Sequence, residues 1–142
     1  MIGIGSDHGG FELKQHIITY LRDNNIEFKD YGCYNEDSTD YPIYGKSVCK
    51  AILNGECDKG ILICGTGVGI SIVANKFEGI RAALCTNSFM AKATREHNDA
   101  NVLVLGGRVT GRGVAVEIVD VFLNTDFSND TRHINRISQM EK

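Results

Sequence analysis

Residues 60–69, Gly-Ile-Leu-Ile-Cys-Gly-Thr-Gly-Val-Gly, are the stretch that decides the fold. The first half is a continuous apolar run that ends at Cys64, which is typical of a strand buried on both faces of a parallel sheet. The second half begins at Gly65 with a glycine turn and continues into a helical pattern to about Lys76. A strand that leads directly into a helix predicts one repeat of an α/β fold.

The same alternation of strand and helix extends along the whole chain. Strands are predicted at 2–5, 26–31, 80–85 and 101–105, and helices at 11–24, 43–54, 88–97, 111–123 and 130–141. We therefore predict a doubly wound, Rossmann-like α/β domain of three layers, with a five-stranded parallel sheet and a C-terminal helix. Residues 1–142 would form a single domain, in which about 128–142 is a helical tail.

Composition restricts the class of protein. The 142-residue chain carries a net charge of −3, which disfavours binding to nucleic acid or to a membrane surface. No apolar stretch approaches the roughly 20 residues that a membrane span requires, and the first residues do not resemble a secretory signal. The five cysteines are odd in number and contain no C-x-x-C pair, which disfavours a disulfide framework or a zinc site. We expect a cytoplasmic protein with reduced thiols and no metal.

Cys64 is the strongest candidate for a reactive group. It ends a buried strand and precedes a turn that opens a helix, where free N–H groups and the helix dipole stabilise a thiolate. Such a thiolate is suited to general base catalysis. A free cysteine is also common as a small apolar core residue, so both interpretations remain open.

The glycine turn itself suggests an anion site. Successive backbone N–H groups of residues 65–69 could form a nest for a phosphate or for an oxyanion that develops during a reaction. The same glycines could instead serve only the strand-to-helix turn. A dinucleotide fingerprint is incomplete, because Ile70 stands where the third glycine of that motif is needed.

Other reactive residue types follow the remaining strands. Asp7 and His8 follow the first strand, His97 ends the helix after the fourth strand and is followed by Asn98, and Arg108 follows the fifth strand. The carboxyl ends of parallel strands lie at one edge of a sheet, so the fold predicts that these side chains converge. Each histidine, taken alone, is more often structural than catalytic.

Two arginines in the tail offer a further anion site. Arg132 and Arg136 are four residues apart and therefore share one face of a helix. Two guanidinium groups on one face can hold a phosphate, although a solvated basic face is the more common outcome for such a pair.

Several segments occur together in a recognisable order. They are Ser6–Gly10, Thr39–Pro42, Gly60–Ser71, Ala74–Lys76, Arg81–Ala82, His97–Asn101, Gly106–Arg108 and Arg132–His133. In these segments the chain resembles the type B ribose-5-phosphate isomerases of the ribose/galactose isomerase family. That family also contains galactose-6-phosphate isomerase subunits and allose-phosphate isomerases.

The resemblance implies a reaction and roles for named residues. The reaction would interconvert ribose 5-phosphate and ribulose 5-phosphate through an enediolate, with Cys64 as the base that moves a proton between C2 and C1. Thr66, together with His97, would help to open the furanose ring. No cofactor is implied.

The resemblance also implies how the substrate is bound. Sugar oxygens would contact Asp7 and Asn98, Tyr41 would line the pocket, the backbone of Gly65, Gly67, Val68 and Gly69 would hold the enediolate, and the phosphate would bind His8, Arg108, Arg132 and Arg136. The tail arginines would reach the site of a neighbouring subunit, which implies a homodimer or tetramer with shared active sites.

Three alternatives to this function remain open. The substrate could be a six-carbon sugar phosphate, galactose 6-phosphate or allose 6-phosphate, because the sequence does not measure the reach between the glycine turn and the arginines. The chain could be a non-catalytic domain that binds a phosphorylated metabolite. A redox-sensing thiol protein built around Cys64 is the third alternative.

Overall fold

One parallel sheet of five strands forms the centre of the computed structural model, which describes residues 1–141. The strands are β1 (Ile2–Ser6), β2 (Phe28–Asp30), β3 (Lys59–Cys64), β4 (Ala82–Leu84) and β5 (Val102–Gly106). They lie side by side in the order β2-β1-β3-β5-β4, and every neighbouring pair is parallel. The predicted fold class, a doubly wound α/β domain with a five-stranded parallel sheet, is confirmed.

Helices cover both faces of the sheet. They are α1 (Phe11–Asp23), α2 (Tyr41–Leu53), α3 (Val68–Ala74), α4 (Ser88–Asn98), α5 (Arg112–Asn124) and α6 (Thr131–Met140), and a short 3₁₀ turn over His8–Gly10 precedes α1. Apolar side chains of α1, α4 and α5 share one buried cluster with the sheet, and those of α2 and α3 share another. No helix within residues 1–141 has both the length and the apolar character needed to cross a membrane.

The two faces of β3 explain its continuous apolar sequence. Ile61 and Ile63 pack in the cluster on the α1 and α5 side, whereas Leu62 and Cys64 pack in the cluster on the α2 and α3 side. Successive side chains of a strand point to opposite faces, so a strand covered on both sides needs apolar residues throughout. The thiol of Cys64 therefore lies on the α2 and α3 side of the sheet.

The edge strands are shorter than the sequence predicts. Six residues were expected for each of the strands at 26–31 and 80–85, but β2 and β4 contain three residues each. Both lie at the edges of the sheet, where a long strand would expose a row of unpaired backbone groups. Local sequence pattern cannot report this, because it does not reveal which strands have a neighbour on only one side.

Two helix ends also differ from the predicted bounds. α2 begins at Tyr41 and not at residue 43, since Pro42 lies in the first turn, where its missing N–H costs no hydrogen bond. α3 ends at Ala74 and not at Lys76. There the side chain of Asn75 turns away to β4, donating to Ala82 O over 3.0 Å and accepting from Ala82 N over 2.8 Å.

The strand order creates a crevice at one end of the sheet. From β1 the chain moves to the outer strand β2, and it returns to β3 on the opposite side of β1. In doubly wound sheets, ligands bind beyond the carboxyl ends of the strands where the direction of winding reverses. Here those strands are β1 and β3, which end at Ser6 and Cys64.

Candidate active site

The turn after β3 brings a backbone N–H group onto the thiol of Cys64. Gly67 has a φ of 82°, in the left-handed region that favours glycine, and a Cβ there would lie 2.6 Å from Leu84 Cδ1. In this conformation Gly67 N donates to Cys64 Sγ over 3.2 Å. The sulfur of Cys64 is thus in contact with a free N–H group at the start of α3.

Cys64 is buried but not sealed off. Its exposed fraction is 4%, and it also lines a cavity of about 450 Å³. The cavity is lined by residues from three strand ends and from the starts of two helices: Asp7, His8, Gly9, Tyr41, Cys64, Gly65, Thr66, Val68, Gly69 and Arg108. Nine of the side chains and glycines singled out from the sequence thus meet at one place, as the topology predicts.

Two backbone hydrogen bonds tie the turn after β5 to the turn after β3. Gly107 N donates to Cys64 O over 2.8 Å, and Arg108 N donates to Gly65 O over 2.9 Å. The guanidinium of Arg108 packs against Gly65, and within residues 1–141 no carboxylate oxygen lies within 4.0 Å of it. A cation without an acidic neighbour at the mouth of a cavity is suited to an anionic group such as a phosphate.

Asp7 and His8 are held by hydrogen bonds that orient them at the end of β1. Asp7 is buried, and its carboxylate accepts from Gly10 N over 3.2 Å. His8 Nδ1 accepts from Thr39 N over 3.2 Å. A backbone N–H can only donate, so Nδ1 carries no proton and Nε2 is left as the donor of a neutral His8.

Tyr41 approaches the glycine turn at its helical end. A Cβ on Gly69 would lie 2.6 Å from Cζ and 2.9 Å from the hydroxyl oxygen of Tyr41, so only glycine permits this contact. Thr66 Oγ1 accepts from Val68 N over 3.2 Å, which orients its hydroxyl beside the first turn of α3. Both hydroxyl groups belong to residues that line the cavity.

His97 and Asn98 are not part of this cavity within the described chain. They end α4, where Arg81 donates to Asn98 O over 2.8 Å and to Asp99 O over 2.9 Å. The ring of His97 stacks on that of His133 in α6, with centroids 4.4 Å apart. Asn98 instead lines a separate cavity of about 670 Å³.

The tail arginines also lie away from Cys64. α6 is a helix as predicted, and Asp130 caps it by accepting from Arg132 N over 2.8 Å. Arg132 and Arg136 are exposed and do not line the cavity of their own chain. The predicted site residues therefore form two groups, one around Cys64 and one on α4 and α6.

Two other buried thiols, those of Cys49 and Cys85, have surroundings that differ from those of Cys64. Burial raises the pKa of Cys49 to about 12 and that of Cys85 to about 11, which keeps both protonated and unreactive. All five cysteines are free. Residues 1–141 contain no group of three or more His, Cys, Asp or Glu side chains placed to hold a metal ion.

Two further residues bear on this site, although the sequence did not identify them. Thr39 supplies the N–H group that fixes His8, and Lys14 lies fully buried close to the loop that contains Thr39. The sequence contained one signal for the role of Lys14, which is its position between Leu13 and Ile17 in the apolar stripe of α1. Lysine is almost never fully buried unless it is paired.

Comparison with known proteins agrees with this geometry. The sequence profile of the family described as Ribose/Galactose Isomerase matches residues 2–140. A solved structure of ribose-5-phosphate isomerase B from Clostridium thermocellum superposes with a TM-score of 0.96 at 53% identity, over 99% of this chain and 94% of that one.

Two curated relatives are named as isomerases of different sugar phosphates. Ribose-5-phosphate isomerase B of Escherichia coli is 48% identical over 96% of this chain and 91% of its own length. A galactose-6-phosphate isomerase subunit of Clostridium acetobutylicum is 43% identical over 89% of this chain and 73% of its own. By its fold, its sequence and the residues gathered around Cys64, the chain belongs to the ribose/galactose isomerase family.

Proposed function

We propose that this protein interconverts ribose 5-phosphate and ribulose 5-phosphate, with Cys64 as the general base. The observation that carries the proposal is the thiol of Cys64, which receives the N–H group of Gly67 and borders a cavity that Arg108 and His8 also line. An aldose-ketose isomerase needs a base beside the reacting carbons, donors for an oxyanion and a cation for the phosphate.

The proton transfers balance without any redox partner. The Cys64 thiolate takes the proton from C2, and the electrons of that C–H bond form the C1–C2 double bond of the enediolate while O1 becomes the oxyanion. The S–H proton is then delivered to C1. The proton of the O2 hydroxyl is transferred to O1, so that the carbonyl ends at C2 and a hydroxyl at C1.

The remaining groups of the cavity have roles suited to this reaction. N–H groups of residues 65–69 would face the enediolate oxygens, and Asp7 and Tyr41 would bind sugar hydroxyls. Thr66 would assist the opening of the furanose ring. His8 and Arg108 would bind the phosphate, so that its binding energy holds the reacting carbons beside sulfur.

Replacing the thiol tests the base directly. We expect Cys64→Ala to lose at least about 10³-fold in turnover, because the proton transfer step loses its base, while the variant still binds ribose 5-phosphate. Calorimetry would measure binding, and NMR would follow deuterium entering C1 and C2 from D₂O. Cys49→Ala is the matched control, because it removes a buried thiol that lies outside the cavity. Turnover of Cys64→Ala at the wild-type rate would rule out Cys64 as the base.

A six-carbon sugar phosphate is the second candidate substrate. The similarity to the galactose-6-phosphate isomerase subunit supports it, because that relative is 43% identical over 89% of this chain. Measuring kcat/KM for ribose 5-phosphate, allose 6-phosphate and galactose 6-phosphate would decide between them. If the protein binds all three but isomerises none, it is a binding domain and the proposal fails.

We further propose that α4 and α6 of one subunit complete the active site of its neighbour. This accounts for the position of His97, Asn98, Arg132 and Arg136, none of which lines the cavity of its own chain. His97 would then assist ring opening across the subunit boundary, and the arginines would hold the phosphate. A homodimer is the smallest assembly that allows this.

We also propose that residues 1–142 act as one unit in the cytoplasm. Five free thiols favour a reducing compartment. Cell fractionation against a cytoplasmic marker would test the location.

A further inference from the structure

Lys14 of α1 is buried in a way that is rare for lysine. Its side chain has no exposed surface, and it lies in the stripe of α1 that packs on the sheet. Its ammonium group donates to Asp30 Oδ1 over 2.6 Å and to Cys33 O over 2.5 Å. A buried ammonium group needs hydrogen-bond acceptors to compensate for its lost hydration. The acceptors, Asp30 and Cys33, are therefore held against α1.

The chain after β2 folds around this ammonium group. Asp30 Oδ1 accepts a second hydrogen bond, from Gly32 N over 2.9 Å, and the Tyr34 hydroxyl donates to Asp30 O over 3.1 Å. The ring of Tyr34 lies 5.4 Å from Lys14 Nζ, within the range of a cation–π contact. Lys14 is thus the centre of a set of contacts that fixes the first half of the segment 30–39, which we call the 30–39 loop.

The 30–39 loop connects Lys14 to the candidate active site. Its first half pairs with the end of β1, where Ser6 N donates to Gly32 O and Cys33 N donates to Ser6 O, each over 2.7 Å. Its last residue is Thr39, whose N–H donates to His8 Nδ1 over 3.2 Å. The loop therefore spans from the buried ammonium to an imidazole that lines the cavity.

We infer that Lys14 is a positioning residue, which holds the 30–39 loop so that Thr39 fixes His8 as the neutral tautomer with its proton on Nε2. In this tautomer His8 presents an N–H donor to an anionic oxygen of the substrate, the role that the proposed function assigns to it. The Thr39 hydroxyl also contacts the Tyr44 hydroxyl over 2.9 Å, so loss of the Lys14 anchor would loosen Thr39 N opposite Nδ1 without releasing it completely. The imidazole can then rotate or carry its proton on Nδ1, and the donor to the substrate is lost.

The tautomer of His8 in the wild-type protein is the first test. In ¹⁵N-labelled wild-type protein, long-range ¹H–¹⁵N correlations distinguish the two ring nitrogens. We expect the shifts of an unprotonated Nδ1 and a protonated Nε2 for His8, with His8→Asn to assign the signals. A proton on Nδ1 of His8 would overturn the inference, whatever the activity of the protein.

The second test removes the anchor. Lys14→Met keeps the length of the side chain and removes the ammonium, and Lys14→Met/Asp30→Asn removes both charges, so that no unpaired carboxylate remains. Lys50→Met, an exposed lysine of α2, is the matched control. We expect both Lys14 variants to raise KM for ribose 5-phosphate roughly tenfold, the effect of losing one hydrogen bond to a charged group, with a smaller change in kcat. Their His8 signals should show mixed tautomers.

The double variant separates positioning from a purely structural role. If it regains the Tm of the wild type and also regains the wild-type KM and His8 signals, Lys14 is only a buried ion-pair partner and the inference fails. If Tm recovers while KM and tautomer do not, the inference holds. A protein without isomerase activity, but with the expected change of tautomer, would remove the proposed function and leave the link from Lys14 to His8 intact.

Discussion

The geometry of the Cys64 turn requires glycine at position 67. The φ of 82° at Gly67 is strained for any side chain, and a Cβ would also lie 3.0 Å from the carbonyl oxygen of Leu105. We expect Gly67→Ala to lower the free energy of unfolding by about 1–3 kcal/mol. Turnover should fall as well, because the N–H group that contacts Cys64 Sγ shifts. Urea denaturation and initial rates measure the two effects.

Gly113 provides the matched control for this substitution. It lies in the first turn of α5, its φ is outside the left-handed region, and a Cβ there meets no atom within 4 Å. Gly113→Ala should therefore stabilise the protein by about 0.4–1 kcal/mol, since alanine restricts the unfolded chain. Equal losses of stability in both variants would show that the turn does not require glycine at position 67.

Candidate site residues could be selected from the sequence only where a local pattern marks them. Cys64 and its glycines were identified because a buried strand followed by a glycine turn is a local signal. The contacts of Lys14 and Thr39 were not predicted, since their partners lie 16 and 31 positions away along the chain.

We expect the pairing of α4 with α6 to make the stability of the protein depend on pH. His133 is buried against His97, and the pKa of His133 is lowered, first by loss of hydration and then by the charges of His97 and Arg132. Its neutral form is therefore favoured in the folded state. The stability from this contact is fully present above the ordinary histidine pKa of 6.5, and it decreases as the pH falls from 6.5 through the lower folded-state value.

We expect Tm to fall as the pH is lowered through this window, and His133→Phe to reduce the slope. Phenylalanine keeps a ring against His97 but cannot take up a proton. Thermal unfolding between pH 7.5 and about 5 measures the slope, with the ordinary histidine pKa of about 6.5 inside that range. His16→Gln, which removes a histidine from α1, is the control. An unchanged slope in His133→Phe would assign the pH dependence to other groups.

Elements were predicted well in type and less well in extent. All five strands and six helices occur in the predicted order, because apolar runs and helical stripes are local features. The predicted lengths of β2 and β4 were wrong, because the length of an edge strand depends on the order of the strands in the sheet. The early start of α2 at Tyr41 was missed because the predicted helix began at residue 43, after Pro42, whereas Pro42 lies in the first helical turn.

At the scale of the whole molecule, the sequence predicted that all candidate side chains converge at one edge of the sheet. The structure instead places them in two groups. Strand ends β1, β3 and β5 meet around Cys64, whereas the α4 and α6 group remains apart in the same chain. Under the shared site that we propose, the α4 and α6 group serves the cavity of a neighbouring subunit, and a contact between chains leaves no pattern within one sequence.

Mixing two defective variants tests the shared site that we propose. Cys64→Ala keeps an intact α6, and Arg132→Ala/Arg136→Ala keeps an intact thiol. If α6 reaches the site of its neighbour, a mixed dimer contains one site in which both defects lie and one site in which neither does. Half of randomly reassorted dimers are mixed, so about a quarter of wild-type activity should return after subunits are exchanged by mild denaturation and refolding. Either variant refolded alone is the control. If the mixture is no more active than the mean of the two controls, each site is built from one chain, and the arginines of α6 form only a solvated face.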